Sequence, residues 1–146
     1  GLTVLELIVG LGVIAVVATI GAPSVGRLRE AATLRGVPQE LYGELQRTRS
    51  AAVMENNRYH FTLLDDAKRY RIHDNDDNDN PAVIDDGERT VVKDIQAYGP
   101  GTTITYTGAI SFFPNGASSG GTITITTSED NSRTIQVSSG GRIRIQ

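Results

Sequence analysis

The segment from Leu2 to Ala22 decides most of what this chain can become. Its side chains are apolar or small apart from Thr3, Glu6 and Thr19. As a helix rising about 1.5 Å per residue, such a run is about 30 Å long, the depth of a bilayer's hydrocarbon core. It is apolar on every side, so it is not the striped helix of a protein surface. It needs lipid around it or a bundle of other helices. Glu6 is the exception. A carboxylate inside such a run costs roughly 2.5–3.5 kcal/mol on insertion scales and calls for a partner. Either it sits near the end of the span and reaches the headgroups, or it pairs with a cation. If the chain is cut after Gly1, the new α-amino group of Leu2 lies about one helical turn from Glu6. Staggered copies can then pair the acid of one with the amine of the next.

The remainder of the 146 residues supplies one domain of modest size. A net charge of −3 with 5% aromatic residues carries no nucleic-acid signal for the chain as a whole. There is no cysteine, so the domain is held by its core, a metal or its neighbours rather than by disulfides. The leading segment is too long for a cleavable secretory peptide, has no A-x-A-like site and runs into an amphipathic helix. It is expected to stay with the mature chain.

Gly10, Gly12 and Gly21-Ala22-Pro23 interrupt the apolar run. Proline removes a donor and clashes with the carbonyl four residues back, so a kink or unwound turn is expected between Gly12 and Pro23. After Ser24 the pattern becomes amphipathic. Val25, Leu28, Ala32, Leu41, Leu45, Thr48 and Ala52 fall at helical steps, with Arg27, Arg29, Arg35, Glu40, Glu44, Arg47 and Arg49 on the other faces. Gly36-Val37-Pro38 is expected to bend or briefly break this helix, and Glu55-Asn56-Asn57 to end it.

From Arg58 the period switches to two. Tyr59, Phe61 and Leu63 alternate with His60, Thr62 and Leu64, and Asp65-Asp66-Ala67 turns the chain into a second strand around Arg69–His73. Further strands are expected at Thr90–Ile95, Thr102–Thr107, Ile110–Phe113, Thr122–Thr126, Thr134–Val137 and Arg142–Ile145. All are short and rich in Thr, Ile and Val, between Gly-, Pro- or Asn-bearing turns. The fold class is α+β: a long N-terminal helix, membrane-spanning in its first half and kinked near Pro23, packed on an antiparallel sheet domain. Its parts are a transmembrane or filament-core helix (1–23), an amphipathic continuation (24–57) and a β-rich domain (58–146).

Gly1-Leu2-Thr3-Val4-Leu5-Glu6 resembles the processing motif of type IV prepilins and type II secretion pseudopilins. There a Gly precedes the cut, an apolar residue follows, and a Glu stands fifth in the mature chain, as Glu6 does if Leu2 is first. Pro23 matches the proline that family tends to carry further along. Leu2 stands where Phe is usual. Three further stretches resemble the GspH/FimT group of that family: Gln46-Arg47-Thr48-Arg49-Ser50-Ala51-Ala52, Ile110-Ser111-Phe112-Phe113-Pro114-Asn115-Gly116, and the closing Gly141-Arg142-Ile143-Arg144-Ile145. The resemblance implies cutting after Gly1 and N-methylation of Leu2 by a prepilin peptidase. It also implies an inner-membrane precursor in lipid, handled by an assembly platform. The subunit then enters a periplasmic or extracellular filament, with itself or with other pilins as partners and with Glu6 and Pro23 in assembly. Pilus and secretion pseudopilus stay open, as do major and minor subunit.

Two stretches could bind something else. Asp74, Asp76 and Asn78 fall at positions 1, 3 and 5 of a calcium-loop template, with Asp85 at position 12. Asp79 replaces the usual Gly there and the flanks read as strands. A looser calcium cage and a solvated hairpin tip both remain. Arg142 and Arg144, two apart on a strand, project to one face. They guard a sheet edge against pairing or, as in some FimT-like minor pilins that take up DNA, contact phosphate. No enzyme emerges. His60 and His73 lie in strands, no thiol exists, and the serines of the Gly-rich turns lack a spaced acid–base partner. The competing functions are a filament subunit, a DNA-binding minor pilin and a non-polymerising single-pass membrane protein.

Overall fold

The computed structural model describes residues 1, 3–64, 68–75, 89–98, 101–128 and 130–146, the side chains of 18–30 and 98 excepted. The chain forms two units, Gly1–Ala32 and Thr33–Gln146.

The helix α1 (Val4–Met54) opens on a cap that the sequence encodes. Thr3 Oγ1 accepts from the Glu6 amide at 3.3 Å and the Thr3 carbonyl from the Leu7 amide at 3.2 Å. Thr-x-x-Glu is the pattern of a capping box, and a carboxylate in the first turn faces the positive end of the helix dipole. The backbone is helical at every position up to Met54, so neither the unwound turn expected between Gly12 and Pro23 nor the break at Gly36-Val37-Pro38 is made. At the second place the reason is packing: Val37 and Pro38 are both buried, which holds their turn in line with the rest of the buried stripe. The helix ends as expected. Asn56 takes φ 54°, and the Asn57 amide reaches back to the Ala52 carbonyl at 3.1 Å, the six-to-one bond of a Schellman ending.

In the Thr33–Gln146 unit, Val37, Leu41, Leu45, Thr48 and Ala52 form the buried stripe of α1. Ala32, expected on that stripe, is exposed. Among the described residues eight strands follow, arranged as two antiparallel four-stranded sheets rather than one. The first has the order β3 (Thr90–Asp94), β2 (Arg69–Asn75), β1 (Arg58–Leu64), β5 (Ile110–Phe112). The second has the order β4 (Thr103–Thr107), β6 (Gly121–Thr126), β7 (Ser132–Val137), β8 (Ile143–Ile145). A 3-10 turn, Ile95–Tyr98, follows β3. β1 and β2 form the expected hairpin, Tyr59 opposite Asp74 and Leu64 opposite Arg69; the turn 65–67 lies outside the described residues.

Both sheets and the helix stripe share one core. Tyr59, Phe61, Tyr70 and Ile72 come from the first sheet, and Ile104, Ile123, Ile125, Ile135, Val137 and Ile143 from the second. Phe61 stacks on Tyr70 at 5.5 Å and meets Tyr106 edge-on at 6.2 Å, tying one sheet to the other. The opposite face of the β1–β2 hairpin carries Arg58, His60, Arg71, His73 and Asn75, by the strict alternation of a strand.

Candidate functional site

The site with the least ordinary surface is the first helical segment. From Val4 to Val17 every large apolar side chain is exposed, from 58% for Leu7 to 76% for Val4. A stripe would leave one side polar; here Glu6 is the sole ionisable side chain in the stretch. So large a continuous apolar surface marks an interaction site. Among the described residues no helix is long and apolar enough to cross a membrane, and the side chains described in this rod end at Val17. Leu2 and the Pro23 side chain lie outside the described residues.

The three stretches that resemble GspH/FimT proteins converge in space. Arg49 Nε, on α1, donates to the Gly116 carbonyl at 2.9 Å across 67 residues of sequence. Gly141 packs against the same pair. It takes φ +77°, and a Cβ there would fall 2.1 Å from the Gly116 oxygen and 2.7 Å from Arg49 Nε. Only glycine fits. These motifs therefore form a clasp holding the end of the helix to the loop after β5 and the turn before β8. Its role is structural.

Arg142 and Arg144 are both exposed, with buried Ile143 between them. Arg142 precedes β8 rather than belonging to it, and Arg144 lies opposite Gln136 on that edge strand.

Asp74 does not begin a loop. It and Asn75 close β2, buried, because β1 pairs with both. The Asp74 amide donates to the Arg89 carbonyl at 3.1 Å, and Asp74 Oδ2 lies 3.9 Å from Arg89 Nε. Asp76, Asn78 and Asp85 lie outside the described residues. Among the described residues no group of three or more metal-ligating side chains gathers.

Arg89 also binds Glu55 at the helix end, and Glu55 accepts from the Tyr59 hydroxyl at 2.6 Å. Those two hydrogen bonds, Tyr59's first, hold the Glu55 carboxyl below its ordinary range. Burial, then Glu55, pushes the Tyr59 hydroxyl up. Further along β3, Lys93 Nζ bridges Glu40 Oε1 at 2.9 Å and Glu44 Oε1 at 3.0 Å, both on α1. Lys93 is raised above the usual lysine range by the hydrogen bond to Glu40 and then that to Glu44. These contacts clamp β3 to the helix. Strand periodicity marks Lys93 only as a strand residue, so sequence reasoning missed the clamp.

The two histidines lie in strands, as expected, and both are buried. They stand directly opposite on β1 and β2 with ring centroids 5.4 Å apart, and His60 Nδ1 lies 2.7 Å from Ser111 Oγ. Burial, then the neighbouring His73 and Arg58, lowers the His60 imidazole to about 4. Both rings are buried inside the first sheet.

Residues 39–141 match the family described as type II transport protein GspH. The minor pseudopilin EpsH from the Type 2 Secretion System of Vibrio cholerae has a similar structure, with TM-score 0.62 at 12% identity over 77% of this chain and 95% of that one. The type IV minor pilin FimU of Pseudomonas aeruginosa superposes with TM-score 0.61 at 22% identity, over 82% of this chain and 92% of that one. At such identities the likeness is one of fold. Among curated protein sequences none matches the chain significantly. The family match takes in Arg49, Gly116 and Gly141 and spans well over half of the sequence, from the buried end of α1 to the last turn, so the chain belongs to the GspH family.

Proposed function

We propose that this chain is a pilin-like filament subunit of a type II secretion pseudopilus or a type IV pilus. The observation that carries the reading is the exposed apolar rod, Val4–Val17, at the front of a GspH-family domain. In water such a surface costs about 25 cal/mol per Å², so it is covered either by lipid or by rods of other subunits. In lipid, exchange for helix–helix contact releases little hydrophobic energy, and packing with specific polar terms then sets the register. Glu6 supplies such a term when it meets the α-amine of a neighbour.

In this reading a prepilin peptidase cuts after Gly1 and methylates Leu2. The subunit waits in the inner membrane on residues 2–22, and the rod bends near Pro23 where it leaves the bilayer. An assembly platform then moves it into the filament. Replacing Glu6 by Ala tests the reading in cells that make the full chain. Filaments are expected to disappear from micrographs while the protein stays in the membrane fraction. Normal filaments from the variant would leave a single-pass membrane protein as the better description.

A second reading, DNA binding, rests on the shared exposure of Arg142 and Arg144. Two phosphate contacts give weak, salt-sensitive binding. Equal retardation of DNA by the chain and its Arg142→Gln/Arg144→Gln variant would remove it. Calcium in the Asp/Asn-rich stretch is a separate proposal, resting on Asp76, Asn78 and Asp85 now that Asp74 faces Arg89; a melting temperature indifferent to chelator would end it.

A further inference from the structure

The face of the rod that carries Glu6 is lopsided. Helical neighbours one turn on stand three and four positions away. For Glu6 these are Val9, 59% exposed, and Gly10. A Cβ built on Gly10 meets no atom within 4 Å, and one built on Gly12 meets none either. Neither glycine is therefore required by packing among the described residues, although each costs a helix about 1 kcal/mol relative to alanine. Helical side chains lean toward the N-terminus, so a side chain at position 10 would lie over the turn that carries Glu6. Its absence leaves a notch beside the carboxylate.

Glu6 is the only charged side chain before Arg27. Among copies of this rod packed side by side, the cation available to it is therefore a chain-terminal α-amine. That amine sits on the main chain and has no side chain to extend. To come within about 4 Å of the acid, the neighbour's backbone must itself approach. Ordinary helix pairs stand about 8–10 Å apart, and small residues are what permit closer contact.

We propose that Gly10 is the seat for the N-terminal turn of a second copy, letting its α-amine reach Glu6. Gly12 points to a different face and takes no part. This inference rests on the filament reading above. The experiment uses the full chain in cells, as wild type and with Gly10→Leu, Gly10→Ala, Gly12→Leu or Glu6→Ala. Filaments are counted in micrographs, and the detergent-solubilised proteins are melted to verify folding. Gly10→Leu is expected to leave about tenfold fewer filaments or none, the scale set by losing one charge-pairing contact. Gly10→Ala falls between, Gly12→Leu matches wild type, and all melt alike. Equal filament numbers for Gly10→Leu and Gly12→Leu would overturn the seat, whether both assemble or both fail. If Glu6→Ala fails to assemble while Gly10→Leu succeeds, the seat alone falls. If Glu6→Ala assembles normally, the acid has no pairing role and both ideas fall together.

Discussion

Gly141→Ala is the sharpest test of the clasp between helix and sheet domain. Alanine at φ +77° pays the left-handed penalty, about 1–2 kcal/mol. Its Cβ would also stand 2.1 Å from the Gly116 oxygen, a distance no atom pair tolerates, so the turn before β8 or the loop after β5 has to move. Either movement breaks the 2.9 Å bond from Arg49 Nε to that oxygen. A hydrogen bond from a charged donor contributes about 1.5–3 kcal/mol. The expected loss is therefore roughly 3–5 kcal/mol. For a domain of this size that lowers the melting temperature by about 10–20 °C. The measurement is thermal unfolding of the Thr33–Gln146 unit, which holds the buried core found among the described residues. Gly140→Ala is the control one residue away. Its Cβ would meet nothing closer than Ser138 Oγ at 4.0 Å, so it is expected to stay within about 1 kcal/mol of wild type. In an Arg49→Met background Gly141→Ala should cost less, because the bond it breaks is already gone. A Gly141→Ala domain melting within a few degrees of wild type, or a Gly140→Ala domain equally damaged, would refute the clasp.

Acid is expected to weaken the domain through His60. Its folded value of about 4 lies below the unfolded 6.5, so the unfolded chain takes up the proton first as pH falls. The stability tied to neutral His60 is present above pH 6.5 and is lost between there and about pH 4, by up to about 3 kcal/mol. His60→Gln should flatten that stretch of a urea-unfolding curve measured against pH, and an unchanged slope would show that another group carries it. Lys93→Met removes both contacts from β3 to Glu40 and Glu44 and should cost about 1 kcal/mol at low ionic strength, less in salt. Indifference of that difference to added salt would show that the lysine's hydrocarbon stem, not its charge, was at work.

Much of this architecture is legible in the residues alone. The exposed rod is written in an apolar run with one acid, because side chains that are apolar on every side leave no polar face to turn outward. The change from helical spacing to alternation after Asn57 locates the helix end and the first two strands, and the approximate positions of the later described strands follow from Thr/Ile/Val runs between turns. These are properties of neighbours in sequence, where backbone geometry leaves few choices.

Tertiary structure alone decided which strands lie side by side. Alternation says which face of a strand is buried and nothing about its neighbour, so one sheet and two sheets look alike until β1 takes β5 and β4 takes β6 around a shared core. The same holds for Asp74, a loop acceptor by composition but a strand residue once β1 and Arg89 pair with it. It holds also for Pro38, a helix breaker locally but carried through by burial beside Val37. Arg49, Gly116 and Gly141 are three motifs in the sequence and one contact in space. Such pairings are chosen by mutual fit among distant segments, and that fit exists only once the chain has closed on itself.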